Sequence, residues 1–411
     1  MTKISTDQEK IQELMTRGVQ NIYPSPDFLT KALKSGKQLT LYLGIDPTGP
    51  SLHLGHAIPL KKLAEFQALG HKVIMLIGNF TATIGDPTDK AAARQPLTRQ
   101  QVLDNSAGYK KQAKTFLKFS GSNKAELKYN AVWLDKLNFA NVLGLASHFT
   151  VQQLLERDMF DKRMKDGKPI GLHEFLYPVM QAYDSVAMNV DGEIGGNDQT
   201  FNMLAGRTLM KTMSDKEKFI ITMKLLADSS GTKMGKTEGN MLAMSDSPSD
   251  MFGKVMSWTD GMIIDGFELC TNTSMTDIKQ AEKDLKSGTN PRDIKFKLAT
   301  DIVTLYYSNK EAATAGEEFN KIFSDKGKPT DIPEFDIKTG KINPVDLLIS
   351  LKFSTSKSEA KRLITGGGFK LNDNKIEDWK ADISIKSGDI VQAGKRKFGK
   401  IKGKWTIFIK N

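Results

Sequence analysis

The sequence predicts an α/β protein: a doubly wound parallel sheet in the main domain, then a helical stretch, then a small basic unit. Three observations carry that expectation. At 411 residues the chain exceeds one ordinary core, so two or three domains are expected. Within residues 39–78 an apolar strand pattern, a helical pattern and a second apolar strand follow one another, which makes a βαβ unit. The charge is also uneven. The chain carries a net +11, and residues 341–411 hold 16 Lys or Arg against 7 Asp or Glu.

Taken in order, residues 1–34 read as a helical leader, with Ile11, Leu14 and Met15 at helical spacing. Leu39-Thr-Leu-Tyr-Leu-Gly-Ile45 is apolar and partly β-branched, as a buried strand should be. Asp-Pro-Thr-Gly-Pro breaks it at 46–50, a helical pattern runs from Gly55 to Leu69, and Gly70 ends it. Val73–Ile77 is the second strand, closed by Gly78. Parallel sheets bind ligands outside the carboxyl ends of their strands, which puts Asp46–His56 and Gly78–Pro87 at the expected site. Helices are expected over 100–118, 140–164 and 173–188, then a glycine cluster at 191–199 and a glycine-containing loop at 231–239. Residues 247–330 are helical by pattern. Lys328, Pro329, Pro333 and Pro344 mark a linker to the basic unit.

Composition narrows the function classes. No run approaches 18 apolar residues, so no transmembrane span is expected. Met1–Arg17 is polar and mixed in charge, unlike a signal peptide. The only cysteine is Cys270, so no intrachain disulfide can form and the cytoplasm is the simplest address. A compact basic unit points to a polyanion, nucleic acid or an acidic membrane, although a lysine-rich solvated surface explains the charge equally well at this point.

Three constellations carry chemistry. In Pro47-Thr-Gly-Pro-Ser-Leu-His-Leu-Gly-His56, two of the five histidines sit where a helix begins after a strand. Backbone N–H groups there attract phosphate, the imidazoles add donors, and Gly55 removes bulk so that a nucleotide can approach. A bare His-x-x-His is also compatible with a metal pair or with two surface histidines. In Gly231-Thr-Lys-Met-Gly-Lys-Thr237, Lys233 and Lys236 can bring two point charges to one polyphosphate, although such loops are often merely solvated turns. Tyr177, Gln181 and Asp184 share one helix face by their spacing, among apolar neighbours. That face either turns to water or holds a polar ligand, because a carboxylate buried without a partner is costly.

In this order, HLGH and KMGKT resemble the HIGH and KMSKS signatures of class I aminoacyl-tRNA synthetases. The likeness sharpens along LYLGIDPTGPSLHLGH, IGNFTATIGDPTDKAAAR, YPVMQAYDSV, EIGGNDQTFN and GTKMGKTEGN, which together resemble bacterial-type tyrosyl-tRNA synthetases. The resemblance implies a Rossmann-type catalytic domain over 35–246 and a helical domain over 247–335. It also implies a small α+β RNA-binding domain over 341–411, like that of ribosomal small-subunit protein four. Ser354–Arg362 and Gly366–Asn372 match that last domain's helix-to-strand core, which favours RNA as the polyanion.

The resemblance also implies roles. Tyr42 and Asp184 would read the hydroxyl of L-tyrosine, and Asp86, Tyr177 and Gln181 would hold its ammonium group. Thr48 and His53 would grip the terminal phosphate of ATP, while His56 and the Gly195–Gly196 turn pack near adenosine. Asp198 and Gln199 would take the ribose, and Gly44 and Asp46 would complete the ATP site. Lys233 and Lys236 would stabilise departing pyrophosphate, with Lys90 and Arg94 as further phosphate or tRNA contacts. Mg²⁺ would be carried by the ATP phosphates, and the partner would be tRNA(Tyr), spanning a homodimer. The chain departs from the family pattern at Gly235, Leu43, Glu193, Asn197 and Thr200. Glu193 would add charge near the ammonium group if it lined the pocket, and a ribose contact at Leu43 is in question. The sister enzyme for tryptophan, a noncatalytic RNA-binding scaffold and a nucleotidyltransferase are the rivals. Tyr42 with Asp184, the intact His and Lys signatures and the basic tail argue against them in turn.

Overall fold

The computed structural model describes residues 3–86, 97–227, 241–323, 332–394 and 397–403. The chain divides into two compact units, one of residues up to 247 with 254–308, the other of 248–253 with residues from 309 on.

The first unit is built on a six-stranded sheet of β1 (Val19–Tyr23), β2 (Thr40–Ile45), β3 (Lys72–Ile77), β4 (Glu126–Tyr129), β5 (Gly192–Gly196) and β6 (Phe219–Met223). Their order is β1-β6-β5-β2-β3-β4, parallel throughout except for β1 against β6. From β2 the chain winds outward through β3 to β4, then returns to β5 on the other side of β2. The switch point therefore lies between β2 and β5, and the crevice beyond their carboxyl ends is the natural ligand site. Leu41, Tyr42, Leu43, Met75, Ile194, Ile220 and Ile221 are all buried. Such near-continuous apolar strands are expected of a parallel sheet covered on both faces.

The expected βαβ unit is present with small shifts, as β2, the helix Leu54–Ala68 and β3. Other expectations need correction. The leader holds the helices Gln8–Thr16 and Pro26–Lys34 and also the edge strand β1, whose half-exposed residues give no clean alternation. The stretch 100–118 breaks into Arg99–Ser106 and Tyr109–Ala113 around Gly108. The stretch 140–164 is three short helices, Phe139–Ala146, Val151–Leu155 and Asp158–Lys165, with side-chain caps from Asn138 and Thr150 opening the first two. A polar residue that can cap a new helix ends the run even where apolar spacing continues. The helix Leu172–Met188 agrees with its reading, and so does the helical character of Ile263–Cys270, Met275–Lys286 and Pro291–Tyr306.

The second unit carries β7 (Glu334–Ile337), β8 (Gly340–Ile342), β9 (Phe369–Leu371), β10 (Asn374–Lys375), β11 (Ile383–Ile385), β12 (Ile390–Ala393) and β13 (Lys397–Gly403). Five of them form the sheet β10-β9-β12-β13-β7, and β11 pairs with β8. The helices Pro344–Ser350 and Lys357–Thr365 pack on it through Leu347, Leu348, Leu351, Ala360 and Ile364 against Phe369, Val391 and Ile401. Pro344, read as linker, is instead the first residue of a helix capped by Asn343, where a missing N–H costs nothing. Lys328 and Pro329 lie outside the described residues.

Candidate active site

The helix Leu172–Met188 lies with its polar face toward the sheet, not toward water. Tyr177 and Asp184 are buried, and the three spaced residues fan out across the crevice. Tyr177 donates its hydroxyl to Asp46 Oδ2 at 2.9 Å, at the end of β2. Gln181 Nε2 donates to Glu193 Oε1 at 3.2 Å, on β5. Asp184 accepts Trp133 Nε1–H at 2.7 Å and Asn130 Nδ2–H at 3.3 Å, just past β4.

These bonds join into a continuous network. Asp46 Oδ1 accepts from Thr81 Oγ1 at 2.7 Å, and that oxygen accepts from Asn130 Nδ2 at 3.1 Å, which leads back to Asp184. Gly78 makes this possible, because a Cβ there would sit 1.9 Å from Asp46 Oδ1. Burial pushes the Asp184 carboxyl well above the usual range, against the pull of the Trp133 and Asn130 donors. Burial first, and the nearby carboxylates second, raise both the Tyr42 and the Tyr177 phenols. Both tyrosines are therefore neutral and keep a proton to donate. Tyr42 itself is fully buried, with its hydroxyl 3.0 Å from Ser185 Oγ.

On the other side of the switch point, His53 caps the helix Leu54–Ala68. Its Nδ1 accepts from Gly55 N at 3.1 Å, and His56 Nδ1 accepts from His53 N at 3.2 Å. Since each Nδ1 is an acceptor, a neutral ring carries its proton on Nε2. Burial and the adjacent His53 hold the His56 pKa well below its usual value, so His56 is neutral. Gly55 is needed first by the imidazole, since a Cβ there would meet His53 Cε1 at 2.9 Å. Segment 241–246 lies beside this turn: Leu54 N donates to Leu242 O at 3.1 Å and Met244 N to Leu52 O at 2.8 Å. Thr48 N donates to Asp46 O at 2.8 Å in the turn after β2, and the Thr48 side chain is exposed. Gly44, near the end of β2, is exposed, whereas Leu43 is buried and presents nothing to a ribose.

At the end of β5, Gly195 and Gly196 leave room for Met203 and Asp198, whose atoms a Cβ would approach to 2.9 and 2.5 Å. Gln199 Nε2 donates to Asp86 Oδ2 at 2.8 Å, and Arg157 Nη2 donates to Asp86 Oδ1 at 3.0 Å. Asp86 thus already faces a cation. Asp46 and Tyr177 meet just past β2 and Asp86 and Gln199 just past β5, while Tyr42 lies within β2, Gln181 meets Glu193 within β5 and Asp184 meets the residues after β4. Lys90, Arg94, Lys233 and Lys236 lie outside the described residues.

Sequence reasoning missed Thr81, Asn130, Trp133, Arg157, Ser185 and Lys218. Trp133 and Asn130 follow β4, a half-exposed Glu-Leu-Lys-Tyr strand with no apolar alternation to flag it. Lys218 precedes the apolar run of β6, and nothing in the sequence marks a lysine for burial. Glu193, noted as a departure, sits behind Gln181 rather than on the crevice surface and adds no net charge. It is buried in an ion pair with Lys218, Nζ to Oε2 2.5 Å.

Comparison with known proteins places the chain as a whole. A family model described as tRNA synthetases class I (W and Y) matches residues 34–324, and one described as tyrosine–tRNA ligase SYY-like C-terminal domain matches 325–400. The tyrosine–tRNA ligase 2 of Clostridium acetobutylicum is 44% identical over 394 residues, covering 95% of this chain and 97% of the relative. The tyrosine–tRNA ligase of Thermotoga maritima is 42% identical over 400 residues, covering 97% and 98%. Among solved structures, a C-terminally truncated mitochondrial tyrosyl-tRNA synthetase of Aspergillus nidulans shares the fold at TM-score 0.64 and 23% identity, covering 77% of this chain and 95% of that one.

Proposed function

The chain belongs to the class I tRNA synthetases of the tyrosine and tryptophan group, as a bacterial-type tyrosyl-tRNA synthetase, and on that premise we propose how its residues divide the work. It is a tyrosine–tRNA ligase, which joins tyrosine to its tRNA at the expense of ATP.

The observation that carries our reading of the pocket is that Tyr42 and Asp184 are both buried and close enough for the Asp184 charge to raise the Tyr42 phenol. A phenol hydroxyl both donates and accepts. Asp184, an acceptor with two donors already on it, accepts a hydrogen bond from the substrate's hydroxyl, and Tyr42 donates to the substrate's oxygen. A site built this way leaves polar groups unpaired when phenylalanine enters, and that penalty gives selectivity. Asp86, Tyr177 and Gln181 hold the ammonium group, with the acidic Asp46 and Asp86 supplying the field. Arg157 then shares Asp86 with the ligand.

The carboxylate of tyrosine attacks the α-phosphorus of ATP, so no protein nucleophile or base is needed. What helps is alignment, with donors where charge develops. The neutral Nε2–H groups of His53 and His56 at a helix N-terminus suit that task, with Thr48 beside them. Gly44 and Gly195–Gly196 admit the nucleotide, Asp46 orders the turn beneath it, and Asp198 with Gln199 takes the ribose. Lys233 and Lys236 neutralise pyrophosphate, with Lys90 and Arg94 as auxiliary cations. Mg²⁺ belongs with the phosphates, whose oxygens suit a hard cation.

Residues 35–246 would activate tyrosine, while 247–335 and 341–411 would serve the tRNA. In support, Lys357 and Arg362 are exposed on one helix, and Lys361 Nζ lies 4.0 Å from the centroid of Trp379. Cations interleaved with an aromatic ring suit RNA. Phe139, Leu143, Val151 and Leu172 are large apolar residues left exposed, Phe139 by 77% and Leu172 by 79%. We assign them to a homodimer interface, in keeping with the family. No helix among the described residues is long and apolar enough to cross a membrane. We place the enzyme in the cytoplasm on the likeness to bacterial-type tyrosine–tRNA ligases. A crystal structure with bound tyrosine tests the pocket. The phenol oxygen should lie within hydrogen-bond distance of both Tyr42 and Asp184, and a ring bound elsewhere would overturn the assignment.

A further inference from the structure

The buried ion pair of Glu193 and Lys218 lies directly behind the residues that face tyrosine. Lys218 is fully buried and Glu193 nearly so. Burying two charges is rarely a net gain in stability, so a buried pair calls for another explanation. Lys218 Nζ donates to Glu193 Oε2 at 2.5 Å and to Ser185 Oγ at 2.9 Å, and Ser185 Oγ lies 3.0 Å from Tyr42 OH. Glu193 Oε1 holds Gln181 Nε2 at 3.2 Å. The pair therefore touches Gln181 through one carboxylate oxygen and Tyr42 through Ser185, with Lys218 Nζ also 6.0 Å from the centroid of the Tyr42 ring and Glu193 acting on its phenol. Helix Thr200–Ser214 leaves space for it with Gly206, where a Cβ would stand 2.5 Å from Lys218 Nζ and 3.0 Å from Ser185 Oγ. Burial pulls the Lys218 pKa down while Glu193 holds it up.

An ammonium group has three donors and no acceptor. Ser185 accepts from Lys218, and its own proton can then be donated onward to the Tyr42 oxygen. In that arrangement the Tyr42 proton points away from Ser185, where the Glu193 carboxylate and the crevice are the acceptors within its reach. We propose that Lys218, anchored by Glu193, is a positioning residue for tyrosine selection: through Ser185 it sets the polarity of the hydrogen-bond chain so that Tyr42 donates to the substrate hydroxyl. Asp184 stands at the other end as the acceptor. The chain runs one way, from ammonium through Ser185, Tyr42 and substrate to carboxylate. The inference rests on the reading that Tyr42 and Asp184 face the phenol.

The test is the pair Lys218→Met and Glu193→Gln, singly and together, with pyrophosphate exchange on tyrosine and phenylalanine and thermal melts in parallel. Lys218→Met alone leaves a buried carboxylate unpaired and should lower the melting temperature. The double variant removes both charges, keeps the acceptor for Gln181 and should recover the melting temperature. Its tyrosine-to-phenylalanine ratio in kcat/KM should still be roughly tenfold lower than in the parent, the scale of one neutral hydrogen bond, while the KM for ATP stays unchanged. If the double variant recovers both stability and ratio, the pair is structural only and the proposal fails. A Tyr42→Phe variant separates the two readings. A ratio that falls with Tyr42→Phe but not with the double variant sinks this proposal alone, and a ratio indifferent to Tyr42→Phe sinks the pocket assignment beneath it. If the proposal holds, adding the double change to Tyr42→Phe lowers the ratio no further.

Discussion

Replacing Asp184 by asparagine changes one atom and should separate selection from folding. The carboxylate now accepts Trp133 Nε1–H at 2.7 Å and Asn130 Nδ2–H at 3.3 Å, and in our reading also the phenol of tyrosine. Asparagine has one acceptor oxygen. If that oxygen stays on Trp133, the new NH₂ group faces the donors of Asn130 and the substrate. The bond lost to substrate is charge-assisted, worth about 1.5–3 kcal/mol, which lowers kcat/KM for tyrosine by roughly 10- to 150-fold. Phenylalanine, lacking the hydroxyl, should lose less than about threefold by the same reasoning. Folding should change little: the donor–donor contact costs about 1 kcal/mol, and relief of a buried carboxylate whose pKa burial already raises offsets it. The assay is pyrophosphate exchange at saturating ATP with each amino acid, with the KM for ATP measured alongside. Equal losses on tyrosine and phenylalanine would refute the reasoning, because the carboxylate would then be acting on something both substrates share.

Other consequences follow from the same geometry. His53→Ala should slow activation by roughly 10- to 100-fold with tyrosine affinity nearly unchanged, as expected of a donor used in the transition state; a large loss of affinity at normal turnover would contradict this. Truncation before residue 332 removes β7 with the sheet it completes, and should leave adenylate formation intact while weakening tRNA charging. Equal survival of both activities would refute the division of labour. His71 is fully buried, its Nδ1 accepts from Leu39 N at 3.2 Å, and burial pushes its pKa down to about 4. The unfolded imidazole titrates near about 6.5, so its contribution to stability is complete above that pH and is lost as pH falls toward 4. In His71→Asn, which keeps an acceptor for Leu39, the melting temperature should fall less steeply across that window, and an unchanged slope would count against the burial argument.

The sequence made the βαβ unit legible because β2 and β3 are buried on both faces and Gly70 and Gly78 punctuate them. Strands β1 and β4 were not legible: one is an antiparallel edge, the other is half-exposed, and neither carries a sustained apolar run. Within the site, the Tyr177–Gln181–Asp184 spacing identified a shared helix face, but period alone does not say whether such a face meets water or a sheet. The partners that settle it, Trp133, Asn130 and Thr81, arrive from strand ends far away in sequence. Glu193 shows the same limit from the other direction. Alone it read as an added charge in the pocket, and only the packing of β5 beside the start of β6 reveals the lysine that balances it.

The central claim is that this crevice selects tyrosine through a hydroxyl bound between Tyr42 and Asp184. Pyrophosphate exchange by the intact protein with ATP and each of the twenty amino acids, without tRNA, tests it most directly. The account predicts exchange with tyrosine alone. Comparable exchange with phenylalanine or tryptophan would leave the fold and the nucleotide site standing and contradict the pocket.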